Sequence, residues 1–397
     1  MKNDNKFNDY SLSKNIERLK EMPILTREMV KKHTEKLFAD DYQRSYTNMH
    51  ITTTSGSSGE PLKIYWHVGD YYRSMKTLWD RRKKYYNISP VSKKIEFSFY
   101  DKNGDLYKID RTNTVLSFNV AKLSNDKFIR LIYDKILEFQ PEWIYVQPSL
   151  ISALVNWFIK SKFKKPASVK HIELVGEVVT DNVIKLCENY FSECSVAVLY
   201  GSEEMNGIAY ECPYHRMHII SENVFAEILS KGKIDETGIG EIILTNLHNV
   251  AVPFVRYNQG DLVQLLPTNK CQCGFSDKII NYIKGRVRDK ININNIEVNS
   301  YMLSEYIKML NNIFNDCIKK FKFLYIENKK TLECYIYVSN EYLHWSTAIE
   351  DEIKTLFKKD GINTRISVFI SLYEPKIISK QKYHIFEIVG EKNEKNS

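Results

Sequence analysis

The apolar positions of this chain change their period along its length. Between Asp126 and Phe139, the residues Phe128, Leu131, Ile132, Ile136 and Phe139 fall on one stripe, the spacing of an amphipathic helix. Pro141 stops that helix. Trp143–Val146, His171–Val175 and Val196–Leu199 are short apolar runs of the kind that forms buried strands, and Asp181–Tyr190 reads as a helix between the last two. Upstream, Asp70–Tyr86 is rich in Arg, Lys and Tyr and reads as a helix laid over a sheet. Ile95–Tyr100 reads as a strand, and Asn103-Gly104 as a turn. Nearer the start, a short helix is expected around Ile16–Lys20. A second should begin at Thr26, its cap, with Glu28 and Met29 in the first turn. Strands alternating with helices predict a mostly parallel sheet under helical cover.

From Val224 the texture changes. VFAEIL, EIILTNL, PFVRY and LVQLL are strand-like runs packed closely together, with turns at Lys231-Gly232, Thr237-Gly238 and Asn258 to Gly260. That is antiparallel structure. Beyond Gly285 the chain reads as a small α+β unit, with strands near Phe321–Ile326, Leu332–Val338 and Arg365–Leu372 and a helix over Trp345–Lys358. A domain boundary is therefore expected between Gly285 and Ile291, dividing the chain into 1–285 and 286–397.

At 397 residues the chain can bury one large core and one small one. Its net charge of +8 is scattered rather than gathered on one segment, so the charge reads as a solvated surface and not as a nucleic-acid footprint. No run approaches 18 apolar residues, and the polar start MKNDNKFNDY lacks the apolar core of a signal peptide. The expectation is a cytoplasmic protein with no membrane partner. Seven cysteines, an odd number, argue against a full disulfide framework. Cys187, Cys194, Cys317 and Cys334 read as scattered thiols.

Chemistry first shows at Ile51–Tyr65, ITTTSGSSGEPLKIY. Thr54, Ser55, Gly56, Ser57, Ser58 and Gly59 make a loop whose backbone N–H groups and hydroxyls can converge on a polyphosphate. The Walker pattern is absent, and by itself the stretch equally suits a flexible surface turn. T-S-G-S-S-G-E-P does, however, resemble the phosphate loop of adenylate-forming enzymes, the superfamily of acyl-CoA synthetases and adenylation domains.

The other motifs occur in that family's order. Leu199-Tyr-Gly-Ser-Glu-Glu204 is a strand end, a Gly turn and paired acids, able to hold Mg²⁺ against phosphate oxygens or to be a polar turn. It is similar to Y-G-x-[ST]-E, which implies Tyr200 along the adenine or acyl pocket, Gly201 and Ser202 at the nucleotide, and Glu204 on magnesium. The hydroxyl position of the motif is Glu203 here. Pro253 to Asp261 is similar to P-x-x-R-Y-x-x-G-D. A carboxylate accepts twice and so suits two adjacent ribose hydroxyls. The match assigns Asp261 to the ribose of ATP and Arg256 to structural support. Leu174-Val-Gly176-Glu177 resembles the turn whose backbone faces adenine.

Gly285-Arg286-Val-Arg288-Asp289 is similar to the family's hinge, with Arg286 near the nucleotide and Arg288 in place of the usual Asp. Near the C-terminus, Ile378-Ser-Lys380-Gln-Lys382 matches the position of the catalytic lysine. Lys382 is the choice and Lys380 the alternative, with Gln381 where a Gly is usual. The glycine that approaches an incoming thiol aligns with Asn295.

One cluster is independent of nucleotide. Cys212-Pro-Tyr-His215-Arg-Met-His218, with Cys271-Gln-Cys273 further on, offers three thiolates and an imidazole in a chain expected to be cytoplasmic. This donor set suits structural Zn²⁺. His218 is favoured as the fourth ligand, with His215 as the alternative, and four unrelated residues are the bland reading.

The match is best to the phenylacetate–CoA ligase-like, capsular-polysaccharide-associated branch. The resemblance implies an α/β fold: a large N-terminal α/β domain of the adenylate-forming type and a small mobile α+β C-terminal domain. It implies ATP and Mg²⁺ as cofactors, a carboxylic acid as substrate, and CoA, a carrier protein or an amine as acceptor. The departures at Glu203, Arg288, Asn295 and Gln381 keep two alternatives open, adenylation without CoA transfer and a non-catalytic relative.

Overall fold

The computed structural model describes residues 18–39, 48–54, 61–98, 105–120, 126–286, 290–315, 317–372 and 386–389. The expected turn at Asn103-Gly104 lies outside them. A 13-stranded sheet runs through the larger part of the chain. Its parallel half comprises β3 (Lys94–Ser98), β5 (Val115–Asn119), β6 (Trp143–Val146), β7 (His171–Val175) and β8 (Ser195–Ser202), in the spatial order 5-3-6-7-8. β4 (Tyr107–Ile109) adds an antiparallel edge to β5. Beyond β8 every pairing is antiparallel. The order runs β9 (Asn206–Glu211), β10 (Met217–Ile219), β15 (Ile279–Arg286), β14 (Tyr257–Leu266), β13 (Gly238–Asn246), β11 (Val224–Ser230) and β12 (Lys233–Asp235). The two textures read along the sequence are thus two halves of one sheet, joined at β8.

Period-2 alternation in the parallel strands points their side chains at two helical layers. Ile144, Val146, Ile172, Leu174 and Val196 pack against α3 (Asp126–Phe139), α4 (Pro148–Lys160) and α5 (Asp181–Tyr190). Trp143, Tyr145, His171 and Glu173 point the other way, toward α2 (Val68–Tyr86). α4 has no counterpart in the sequence reading. It buries Leu150, Ile151, Ala153, Leu154, Val155 and Phe158, its polar stripe is only the narrow line of Ser149, Ser152 and Asn156, and Pro148 sits in its first turn.

α2 is unusual in burying a polar face: Asp70, Ser74, Arg81 and Arg82 lie inward with Leu78. Arg82 donates to both oxygens of Glu173, at 2.8 and 2.5 Å, and Tyr210 donates to the same carboxylate at 2.9 Å. Both partners are almost wholly buried. Removing one would leave the other charge uncompensated, a loss of about 3–5 kcal/mol.

α1 (Arg27–His33) opens as its sequence predicts, with Thr26 Oγ1 accepting from the Met29 amide at 3.3 Å. β1 (Met49–Thr53) and β2 (Lys63–His67) form a separate antiparallel ribbon.

The remaining elements gather round their own core. β16 (Lys290–Ile293) and β17 (Ile296–Asn299) form a hairpin. A four-stranded sheet is ordered β20 (Arg365–Leu372), β19 (Thr331–Val338), β18 (Ile318–Ile326), β21 (Phe386–Val389). α6 (Ser300–Ile313) and α7 (Ser346–Lys359) cover it through Leu303, Tyr306, Leu310, Ile349, Ile353 and Phe357. Asn295 is explained by the hairpin. Asn294 and Asn295 are its two turn residues, with φ of 52° and 65°, and Asn is among the few residues that accept that left-handed pair. Among the described residues no helix is long and apolar enough to cross a membrane.

Candidate active site and metal centre

The C-terminal end of β8 is where the sheet changes from parallel to antiparallel, a place where strand ends diverge and leave a crevice. Gly201 allows the sharp passage into β9, because a Cβ there would meet the Asn206 carbonyl oxygen at 2.6 Å. The Ser202 hydroxyl accepts from the Met205 amide at 3.3 Å and closes the turn that carries Glu203 and Glu204. A cleft of about 1710 Å³ opens over this turn. Thr54, Gly176, Glu177, Tyr200, Gly201, Ser202, Glu204 and Asp261 all line it.

Each side chain is held. The Tyr200 hydroxyl donates to Asp261 Oδ2 at 2.6 Å, tying β8 to β14 across the crevice. Asp261 is paired in register with Arg286, the last residue of β15. Glu204 is 4% exposed. Its Oε1 accepts from the Tyr257 hydroxyl at 3.1 Å and lies 3.8 Å from an Arg27 guanidinium nitrogen. Burial and the Glu204 charge push the Tyr257 phenol upward, which keeps it a donor. Glu204 is thereby aimed by Oε1, and its Oε2 makes no hydrogen bond within the described chain. Arg27 and Tyr257 were not singled out in the sequence. Their signal was weak: Arg27 follows a helix cap, and Tyr257 sits inside the R-Y-x-x-G-D stretch.

Thr54 marks the entrance to the Gly/Ser loop. Its amide donates to the Leu62 carbonyl at 2.9 Å. Its hydroxyl accepts from the Leu62 amide and from Arg27, each at 3.0 Å. Ser55, Gly56, Ser57, Ser58 and Gly59 lie outside the described residues, as do Lys380 and Lys382. Gly176 adopts φ 85° at the end of β7. Beside it, both Glu177 oxygens accept from Ser149, from its amide and its hydroxyl at 3.0 Å each, which places a carboxylate at the N-terminus of α4. Arg256 points away from the cleft. It pairs with buried Glu227 at 3.0 and 3.1 Å and donates to the Lys20 and Met22 carbonyls.

The second constellation is distinct. Cys212 follows β9, His218 lies on β10, and Cys271 and Cys273 come from the β14–β15 connection. Their four donor atoms lie within 4.8 Å of one another. Cys212 Sγ is 3.8 Å from Cys271 Sγ, and Cys273 Sγ is 3.3 Å from His218 Nε2. Ligands set tetrahedrally around an ion at zinc distances lie about 3.3–3.8 Å apart, so the donor set fits Zn²⁺. His215 stands apart with its side chain 65% exposed, 3.3 Å from Glu211. The Tyr85 hydroxyl reaches Cys273 Sγ at 3.6 Å. The other four thiols are buried. Burial pushes the Cys194 thiol up to about 12, which keeps it inert.

The fold is that of solved acyl-CoA ligases, and part of the sequence is similar to a phenylacetate–CoA ligase. A phenylacetate–coenzyme A ligase from Thermus thermophilus is 28% identical over 171 residues, which cover 41% of this chain. The match spans 38% of that relative's length. No family model matches the chain. Among solved structures, 2-hydroxyisobutyryl-CoA ligase in its postadenylation state superposes with a TM-score of 0.72 at 13% identity, over 94% of this chain and 80% of that one. O-succinylbenzoate coenzyme A synthetase from Bacillus subtilis, in complex with ATP and magnesium ion, gives 0.52 at 13% identity, over 80% and 66%.

Proposed function

We propose that this protein activates a carboxylic acid with ATP, giving an acyl adenylate and pyrophosphate, and then passes the acyl group to CoA, a carrier thiol or an amine. The observation that carries this reading is the convergence of Thr54, Gly176, Tyr200, Glu204 and Asp261 in one cleft at the sheet's changeover. In this reading Asp261, oriented by Tyr200, accepts from the ribose hydroxyls. The loop from Thr54 to Gly59 cradles the phosphates, with Arg286 nearby. A carboxylate oxygen of the acid attacks the α-phosphorus, and the bond to the bridging oxygen breaks with its electrons leaving on pyrophosphate. Glu204 Oε2 would hold Mg²⁺, which neutralises charge on the phosphate oxygens when bound. Lys382 would donate to the α-phosphate and carboxylate oxygens as charge develops there.

In the same reading residues 1–285 bind ATP and the acid, and residues 286–397 form the lid that brings Lys382. The test is Lys382→Ala beside Lys380→Ala. The first should cut adenylation by orders of magnitude with ATP binding nearly intact, and the second should not. An unaffected rate in Lys382→Ala would reject the assignment.

We further infer a structural Zn²⁺ held by Cys212, His218, Cys271 and Cys273. Four protein ligands would leave no open position, so the ion would staple the β9–β10 turn to the β14–β15 connection rather than act in catalysis. Such a thiolate site and a demand for ATP both suit the cytoplasm.

A further inference from the structure

The cleft wall formed by α2, β3 and β6 ends in polar groups. Tyr71, Ser98, Tyr145 and Gln147 line it, all half-buried. None of these four side chains makes a hydrogen bond within the described chain. Behind them the packing is ionic. Lys94 Nζ lies 2.7 Å from Glu96 Oε2, Ser117 donates to Glu96 Oε1 at 2.7 Å, and the Arg82–Glu173 pair follows. Facing them stands Glu203, the residue that departs from the motif. Its carboxylate accepts from the Thr52 hydroxyl at 2.8 Å, and its backbone carbonyl accepts from Trp66 Nε1 at 2.9 Å, so it is fixed in place.

The two ion pairs cancel, and among the described residues Glu203 has no ion-pair partner on this wall. Burial raises the pKa of the Tyr71 and Tyr145 phenols, and the Glu203 charge adds to it at both, behind Glu173 at Tyr145. An apolar body seated here would strip water from three hydroxyls, an amide and a carboxylate without replacing any hydrogen bond, and a site of that kind discriminates strongly against it.

We propose that the acid this enzyme activates is polar, carrying a hydrogen-bond donor on its body, an ammonium above all, that is received by Glu203 and by the Tyr71 and Tyr145 hydroxyls. The proposal rests on the ligase reading. It separates this chain from a ligase of plain aryl or alkyl acids, and it turns the departure at Glu203 into a specificity determinant.

The experiment compares matched acids in ATP-dependent pyrophosphate release: phenylacetate with 4-hydroxyphenylacetate and 4-(aminomethyl)phenylacetate, and hexanoate with 6-aminohexanoate. The donor-bearing member of each set should show kcat/KM about tenfold or more above its plain partner. Glu203→Gln should collapse the advantage of the ammonium acids, and Tyr145→Phe should reduce that of the hydroxyl acid. Preference for the plain acids, or ratios unmoved in both variants, overturns the proposal. If no acid supports release, the ligase reading fails instead. The pocket is then judged by calorimetric binding of the same acids, where tighter binding of the plain members overturns the proposal.

Discussion

The Tyr200 hydroxyl donates to Asp261 Oδ2 at 2.6 Å, joining the last parallel strand of the sheet to a strand of its antiparallel half. Two motifs 61 residues apart in sequence thus become one device at the mouth of the cleft. A hydrogen bond to a charged acceptor is worth about 1.5–3 kcal/mol. Tyr200→Phe should therefore raise the Kd for ATP by about tenfold, and Asp261→Ala by more, both measurable by calorimetry. Unchanged ATP affinity in Asp261→Ala would remove Asp261 from the ribose site.

Glu204 is oriented through one oxygen by Tyr257 and Arg27. Glu204→Gln keeps the shape and removes the charge, so the Mg²⁺ concentration for half-maximal pyrophosphate release should rise about tenfold or more. Tyr257→Phe should shift it in the same direction by less. If Glu204→Gln leaves the Mg²⁺ titration unchanged, the carboxylate serves only the fold.

Protein purified without chelator should carry one zinc per chain by elemental analysis. Cys271→Ser should lose that metal and lower the melting temperature, and His215→Ala should do neither. Absence of zinc from the wild-type protein would contradict the assignment.

His171 is buried beside Tyr86 and Tyr210, its Nδ1 2.8 Å from the Ser195 hydroxyl, and burial pulls its pKa down to about 4. The unfolded chain takes up this proton near pH 6.5 and the folded chain does not. Stability is therefore full above about pH 6.5 and is lost as pH falls from there toward 4. Glu173, held below its usual range by Arg82, adds a loss at still lower pH. Melting temperature followed from pH 7.5 to 4.5 should decline across this window, and less so in His171→Gln. A flat profile would contradict this assignment.

Much of the fold was legible because its signals are local. The stripe of α3, the cap at Thr26 and the runs of β6 and β7 read correctly from spacing alone. α4 was passed over because its polar stripe, Ser149, Ser152 and Asn156, is narrow against a broad apolar face. The union of both textures into one sheet was hidden because the β8–β9 pairing is a tertiary event. At the site, motif residues could be named but their supports could not. Arg27 reaches Glu204 across 177 positions, and Trp66 reaches Glu203 across 137, and no spacing rule spans such distances. That His218 rather than His215 groups with the three cysteines likewise follows from strand direction, since β10 turns His218 inward and leaves His215 at the turn.

The decisive measurement is pyrophosphate release from ATP and Mg²⁺ in the presence and absence of carboxylic acids, with AMP formation counted in parallel. An acid-activating ligase should release pyrophosphate only with the acid, match it to AMP mole for mole when an acceptor is supplied, and lose this release in Lys382→Ala. ATP that binds tightly and is never split, whatever acid is added, would contradict it and leave a nucleotide-binding relative of the same fold.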